Sequence, residues 1–202
     1  MMESTSGAGI SRVFFCLLVL LNCWLWMQGI HEIGHVLAAV VSQGHVQCVV
    51  WHPLTVSRTD VAPNPHPLLV CWMGPVAGCV LPLLCAKVAG KMRMGKWNPE
   101  LAVLWFFCGF CCVANGAYIA IGSFDRVGDA GVLLRHGSPD WLVWTVGAVA
   151  IIAGLLIWHR LGNLFAVCRL TVTRRALNFQ AALLLLTLLL QAAVFCGCGR
   201  TV

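Results

Sequence analysis

The residues best suited to chemistry lie in the segment QGIHEIGHVLAA, residues 28–39. His31, Glu32 and His35 occur there. Glu32 is the only Asp, Glu, Lys or Arg residue between Arg12 and Arg58. Residues i and i+4 of a helix share one face, so the two histidines can bind one metal ion together. Glu32 is rotated by about 100° from His31 and can act on a water molecule instead of the metal. The spacing therefore predicts a zinc site with Glu32 as its general base.

The composition predicts that this site lies within a membrane. Of the 202 residues, 60% are hydrophobic and 10% are charged, with a mean hydropathy of +0.87. Soluble domains contain about 25% charged residues, so a soluble metalloprotease is excluded. The net charge of +6 comes from basic residues in short loops. That pattern reports membrane orientation and argues against a nucleic-acid partner.

The hydrophobic pattern predicts an all-α polytopic membrane protein with a single membrane-embedded domain over residues 1–202. Five spans of roughly 20 apolar residues fit the thickness of a bilayer; they cover 13–42, 67–90, 99–122, 140–158 and 178–197. The first span is longer than a bilayer core, and Gly29 or Gly44 could mark a break in it. No small-residue cleavage site follows this run, so we expect a retained helix and not a signal peptide. We expect an integral, multi-pass protein of the inner or plasma membrane.

Two polar segments between the spans carry further structure signals. Residues 45–58 hold β-branched residues in partial alternation, which predicts a short β segment, a strand or hairpin, near the membrane surface. Residues 129–137 read as a short helix that Asp129 opens and Gly137 closes.

The third ligand of the metal is open between several residues. A catalytic zinc takes three protein ligands and leaves one position for water. Asp125 and Asp129 follow the third span, where contact with the first span is easiest, and Asp129 is favoured because small residues flank it. Cys108 and Cys111 form a C-x-x-C pair, but within a continuous apolar helix we interpret them as packing residues.

Three motifs together resemble a known family. The first is His31-Glu32-Ile33-Gly34-His35, the second Gly74-Pro75-Val76-Ala77-Gly78, and the third Gly128-Asp129-Ala130-Gly131 in place of an L-D-G sequence. Over residues 13–135 the chain resembles the site-2 protease family of intramembrane zinc metalloproteases, peptidase family M50. The two further spans, over about 140–197, match no motif of that family.

The resemblance implies one Zn2+ per chain, with His31, His35 and Asp129 as ligands and Asp125 as the alternate. It implies that Glu32 is the catalytic base and that Asn115 is a candidate for orienting substrate or stabilising an oxyanion. The implied activity is hydrolysis of peptide bonds in membrane-spanning or membrane-proximal substrates, so the partners are a membrane protein or peptide and the lipid bilayer.

Two other functions use the same residues. A membrane metal-binding or transport protein would pass an ion along ligands arranged in file across the membrane. A catalytically silent scaffold would keep the fold for partner binding, and the intact Glu32 argues against it.

The distribution of basic residues predicts the orientation. Nine of the 13 Lys and Arg residues precede the first span or follow the second and fourth spans, and four lie on the other side. The positive-inside rule then places the N-terminus in the cytoplasm and the C-terminus outside. Asp129 and the later part of the first span would face the non-cytoplasmic side.

Reporter domains fused after Pro63 and after Gly95 test this orientation. We expect the fusion after Gly95 to report from the cytoplasm and the fusion after Pro63 to report from outside, because basic loop residues are retained on the cytoplasmic side. The opposite pair of signals would overturn the assignment. It would give the orientation that the family resemblance implies, with the site nearer the cytoplasm.

Overall fold

The structure, a computed structural model, describes residues 5–92, 99–162 and 172–198. The described residues form six helices and two strands. In chain order these are α1 (Thr5–Val41), β1 (Val46–Val50), β2 (Arg58–Val61), α2 (Pro67–Met92), α3 (Pro99–Asp125), α4 (Gly128–Arg135), α5 (Asp140–Leu161) and α6 (Arg174–Cys198).

Five of these helices are long and apolar enough to cross a membrane. They are α1, α2, α3, α5 and α6, and their apolar parts are Gly9–Val41, Pro67–Lys91, Glu100–Asp125, Asp140–Leu161 and Arg174–Val194. The predicted helical class and the number of candidate spans are confirmed at this level. The last span begins at Arg174, a turn before the predicted residue 178.

Helix α1 runs without a break from Thr5 to Val41, so the break suggested at Gly29 is not found. Gly29 serves instead as a notch for the indole of Trp51, since a Cβ at Gly29 would lie 2.8 Å from a ring carbon of that side chain. The Trp51 indole N–H also donates to the Leu25 carbonyl at 3.0 Å. At 1.5 Å per residue the 37-residue helix is about 55 Å long, and it must tilt in the bilayer or extend beyond its apolar core.

The end of α1 is a Schellman turn. Gln43 has φ 61°, its N–H donates to Val40, and the Gly44 N–H donates to the Ala39 carbonyl at 2.7 Å. These bonds satisfy carbonyls that the last helical turn leaves unpaired. Gly44 therefore follows the helix end and does not interrupt a span.

Strands β1 and β2 form an antiparallel hairpin, with Val46 opposite Val61 and Val50 opposite Arg58. The β segment expected over residues 45–58 is present, although its second strand extends to Val61. The hairpin packs against α1 and, through β1, against α6. It therefore covers part of the helix that carries the two histidines.

Cys48 in β1 is disulfide-bonded.

Helix α4 begins at Gly128, with Val127 at the N-cap and no side-chain cap. The expectation that Asp129 caps the start of this helix is therefore wrong, because the N-cap lies two positions earlier. Because the Asp129 carboxylate is not used for capping, it is available for other contacts. At the other end Gly137, with φ 91°, follows the C-cap residue His136, as expected for a closing glycine. Leu133 anchors α4 in a buried cluster with residues of α2, α3 and α5.

Helices α3 and α5 cross where their backbones touch at two glycine pairs. A Cβ at Gly116 would lie 2.6 Å from the Gly147 carbonyl oxygen, and one at Gly154 would lie 2.6 Å from the Gly109 carbonyl oxygen. The two glycines of each helix are seven residues apart, so both pairs lie on one antiparallel seam. Small residues of this kind allow close packing between helices in lipid. This seam holds α3, and with it Asn115, in a fixed position.

We predict that Gly147→Leu destabilises the protein, because the new side chain must separate two backbones that are in contact. Overpacking of this kind costs about 1–3 kcal/mol, which corresponds to a loss of roughly 3–10 °C in the Tm of a chain of this length. Thermal unfolding in detergent measures it. Ala148→Leu is the matched control, because Ala148 is exposed on the same helix. Equal Tm values for Gly147→Leu and Ala148→Leu would contradict the conclusion that α3 and α5 are in backbone contact at Gly147.

Candidate metal centre

Helix α1 presents His31, Glu32 and His35 within the helical assembly. All three residues are buried, with exposed fractions of 7%, 3% and 5%. One ligand atom from each lies within 4.8 Å of the others. The i, i+4 spacing places both imidazoles on the same side of the helix, as the sequence predicts.

Helix α4 adds a carboxylate to the two imidazoles. Asp129 Oδ2 lies 2.8 Å from His31 Nε2 and 3.2 Å from His35 Nε2, and the two Nε2 atoms are 3.0 Å apart. Asp125, the alternate ligand, is exposed at the end of α3. The structure thus brings Asp129, and not Asp125, to the histidines.

The Asp129 carboxyl is held in its ionised form. Burial by itself would raise its pKa, but hydrogen bonds with His31 and His35 keep the pKa well below its ordinary value. An ionised carboxylate is the form that binds a metal cation.

The hydrogen bonds made by the Nδ1 atoms of the two imidazoles show that these nitrogens carry a hydrogen. His31 Nδ1 lies 2.6 Å from Asn115 Oδ1, and His35 Nδ1 lies 2.8 Å from the Val70 carbonyl oxygen. Both partners can only accept a hydrogen bond, so each Nδ1 carries a hydrogen and donates it. In the neutral imidazoles the lone pairs are then on the Nε2 atoms, which face Asp129.

Three ligand atoms therefore converge on one point. At separations of 2.8–3.2 Å, either protons on the Nε2 atoms or a metal cation must lie between the imidazoles and the carboxylate. A tetrahedral zinc with bonds of about 2.0–2.1 Å separates its ligands by about 3.3 Å, close to these distances. The residues present fit a zinc ion with three protein ligands.

Asn115 supports the site from α3. It is 1% exposed, and its Nδ2 donates to the Cys111 carbonyl at 2.8 Å, which directs its Oδ1 towards His31. Such a contact orients a ligating histidine and raises its basicity. Both ends of the amide are thus engaged, and the role of Asn115 in binding substrate or an oxyanion stays a prediction from the sequence.

Two glycines of α2 make room for these side chains. A Cβ at Gly74 would overlap the His35 ring and lie 2.8 Å from His31 Nε2, and a Cβ at Gly78 would lie 2.6 Å from Asn115 Nδ2. The small-residue spacing in Gly74–Gly78, interpreted as a helix-packing motif, thus also accommodates the site.

Three contacts of the site could not be found in the sequence. Thr59 Oγ1 donates to Glu32 Oε2 at 2.6 Å, the Tyr118 hydroxyl accepts from the Asp129 N–H at 3.4 Å, and the Cys71 thiol donates to the Asp129 carbonyl at 3.3 Å. The paired residues are 27, 11 and 58 positions apart, respectively, and no shared motif connects them. A weak signal for the Tyr118 contact was Gly128, where φ is 55° and a Cβ would overlap the tyrosine hydroxyl.

The cysteines do not contribute to the cluster of potential ligands. Cys108 and Cys111 are buried and free, in agreement with their interpretation as packing residues. Within residues 5–92, 99–162 and 172–198, the group of side chains suited to a metal contains no cysteine.

A separate cavity of about 760 Å³ lies between α1, α3 and α6. It is lined by apolar side chains and by Asn22, Gln180, Glu100 and Arg175, and none of the metal-site residues borders it. The convergence of His31, His35 and Asp129, and not this cavity, therefore defines the candidate metal site.

Comparisons with known proteins add no family assignment. No family model, curated protein or solved structure matches the chain. The site is therefore interpreted from its own residues and geometry.

We predict that Asp129→Ala lowers zinc affinity by more than about 100-fold, because loss of a ligand should exceed the 10–100-fold effect of losing a supporting contact. The metal content of purified protein after competition with a chelator measures this effect. Asp125→Ala is the matched control and should retain wild-type zinc. Loss of zinc in Asp125→Ala with retention in Asp129→Ala would reverse the ligand assignment.

Proposed function

We propose that this protein is an intramembrane zinc metalloprotease that hydrolyses peptide bonds in membrane-spanning or membrane-proximal segments. The observation that carries the proposal is the convergence of His31, His35 and Asp129 on one point, with the Glu32 carboxylate adjacent, in a helix apolar enough to span a membrane. Ionisable residues at such depth are costly and are retained for function.

The protein residues hold and tune the metal in this proposal. A zinc ion would lower the pKa of a water ligand towards about 7 and polarise a substrate carbonyl. His31, His35 and Asp129 would bind it, while Asn115 and the Val70 carbonyl fix the orientation of the imidazoles. Three protein ligands leave the fourth position open, which is the arrangement of catalytic and not structural zinc sites.

Glu32 is the proposed general acid–base. The proposed ligands His31 and His35 lie on the same helix, yet the Glu32 carboxylate is directed to Thr59. From this position it can reach the metal site through one water molecule. It would take a proton from that water and later deliver it to the leaving nitrogen of the peptide. A carboxylate in this role is expected to contribute about 10²–10⁴-fold to the rate.

The proposed substrate class follows from the location of the site. A peptide bond within a transmembrane helix is shielded by helical hydrogen bonds, and unwound backbone cannot face lipid. The hairpin beside Glu32 offers strand edges that can pair with an extended segment. We therefore expect a membrane-spanning segment that unwinds locally next to β1 and β2.

Metal transport is less well supported by the arrangement of the other histidines. Transport requires further ligands in file across the membrane. His45, His66, His136 and His159 are exposed, and His52 lies between the two strands. In the described part of the chain, the potential metal ligands that lie close together are His31, Glu32 and His35, with Asp129 in contact with both histidines, and none of the other histidines joins them.

We predict that Glu32→Gln retains zinc and loses at least about 100-fold in cleavage rate, because an amide cannot accept the proton of water. Mass spectrometry of a single-span peptide incubated with the purified protein in liposomes measures cleavage. Glu100→Gln serves as the control, because Glu100 lies at the start of α3 away from the site and should remain fully active.

Two outcomes would contradict the proposal. Wild-type turnover by Glu32→Gln would remove Glu32 from the chemistry. Absence of cleavage by zinc-loaded wild-type protein over a panel of single-span peptides would favour a metal-binding or scaffold function.

A further inference from the structure

The β-hairpin provides the hydrogen-bond partner of the Glu32 carboxylate. Thr59 Oγ1 in β2 donates to Glu32 Oε2 at 2.6 Å, and Glu32 is 3% exposed. This length is at the short end of the range for a hydroxyl donor, as expected for a charged acceptor. The buried carboxylate is thus oriented by a residue from outside its own helix.

Three contacts dock the hairpin along one face of α1. Trp51 donates to the Leu25 carbonyl, the Ser57 N–H donates to Gln28 Oε1 at 3.0 Å, and Thr59 donates to Glu32. Positions 25, 28 and 32 have the i, i+3, i+7 spacing of a single helical stripe. The hairpin therefore lies along α1 as far as the Glu32 carboxylate. The hydrogen bond between Thr59 and Glu32 is part of this continuous docking surface.

The alternation of β2 directs Thr59 inward. Arg58 and Asp60 on either side form an ion pair with side chains that are 69% and 44% exposed, whereas Thr59 faces α1. Successive residues of a strand point to opposite faces. A β-branched residue in a strand also has few χ1 rotamers, which limits where its hydroxyl can lie.

We propose that Thr59 is a positioning residue for Glu32 and that it couples docking of the hairpin to the orientation of the general base. The catalytic consequence rests on the proposed function, whereas the coupling between the two side chains does not. The hydroxyl occupies one of the lone-pair sites on Oε2 and leaves Oε1 to accept from water. Displacement of a reacting group by about 1 Å costs roughly 100-fold in rate, so loss of this contact changes turnover.

Steady-state kinetics with a single-span peptide test the catalytic consequence. Thr59→Val keeps the shape of the side chain and removes the donor, so kcat falls by roughly 10–100-fold while KM stays within about twofold. Thr59→Ser restores the hydroxyl and recovers most of kcat. Thr55→Val is the matched control, since Thr55 lies in the same hairpin and is exposed. Wild-type kcat in Thr59→Val, or an equal loss in Thr55→Val, overturns the proposal.

A double-mutant cycle tests the coupling without any activity. Thermal unfolding of the zinc-free wild type, Thr59→Val, Glu32→Ala and the double variant gives four Tm values. Coupled residues give a double variant whose Tm shift is smaller than the sum of the two single shifts. Additive shifts overturn the coupling even where the protease is active. If no peptide is cleaved but the cycle is non-additive, the proposed function fails and Thr59 still positions Glu32.

Discussion

The structure depends on one electrostatic constraint, the convergence of two imidazole nitrogens and a carboxylate oxygen at a buried point among apolar helices. The Nε2 atoms of His31 and His35 and the Oδ2 atom of Asp129 approach one another to 2.8–3.2 Å. Asn115 and the Val70 carbonyl accept from the opposite ring nitrogens and so direct the Nε2 atoms towards Asp129. Desolvation makes a buried carboxylate unfavourable unless protons on the imidazoles or a metal cation compensate its charge. In the proposed function a zinc ion provides this compensation, and Glu32 acts on the water that the ion binds.

Much of the surrounding architecture serves to bring these groups together. Gly74 and Gly78 remove the side chains that would collide with the histidines and with Asn115. The glycine pairs between α3 and α5 hold α3 at a fixed distance, and Leu133 anchors α4 so that Asp129 reaches α1. Close backbone approach is the main means by which helices pack specifically in lipid, where apolar surface gives little driving force. The hairpin packs on an adjacent face of α1 through Trp51 and Thr59, so the helix that carries the site is held on two faces.

The local parts of this arrangement could be predicted from the sequence, and the tertiary parts could not. The His31–His35 pair follows from helical periodicity, and the five candidate spans follow from hydropathy, because both are properties of contiguous residues. Which of Asp125 and Asp129 reaches the histidines depends on how α4 packs against the other helices. The glycines that flank Asp129 only suggested this packing. Gly29 was misinterpreted because a glycine in a helix can mark either a break or the close approach of another element. The indole ring that packs against Gly29 belongs to a residue 22 positions further along the chain. The partners of Asn115 and Glu32 are likewise set by packing between elements and leave no pattern in the chain.

Zinc K-edge X-ray absorption on the purified protein tests the proposed metal site, because it reports ligand types without requiring a substrate. We expect one zinc per chain, bound by nitrogen and oxygen atoms at about 2.0–2.1 Å, with the multiple-scattering signature of two imidazoles. In Asp129→Ala the oxygen contribution should fall while the imidazole signature remains in any zinc still bound. A sulfur shell at about 2.3 Å, or a wild-type protein that retains no zinc under conditions that preserve its fold, would contradict the account.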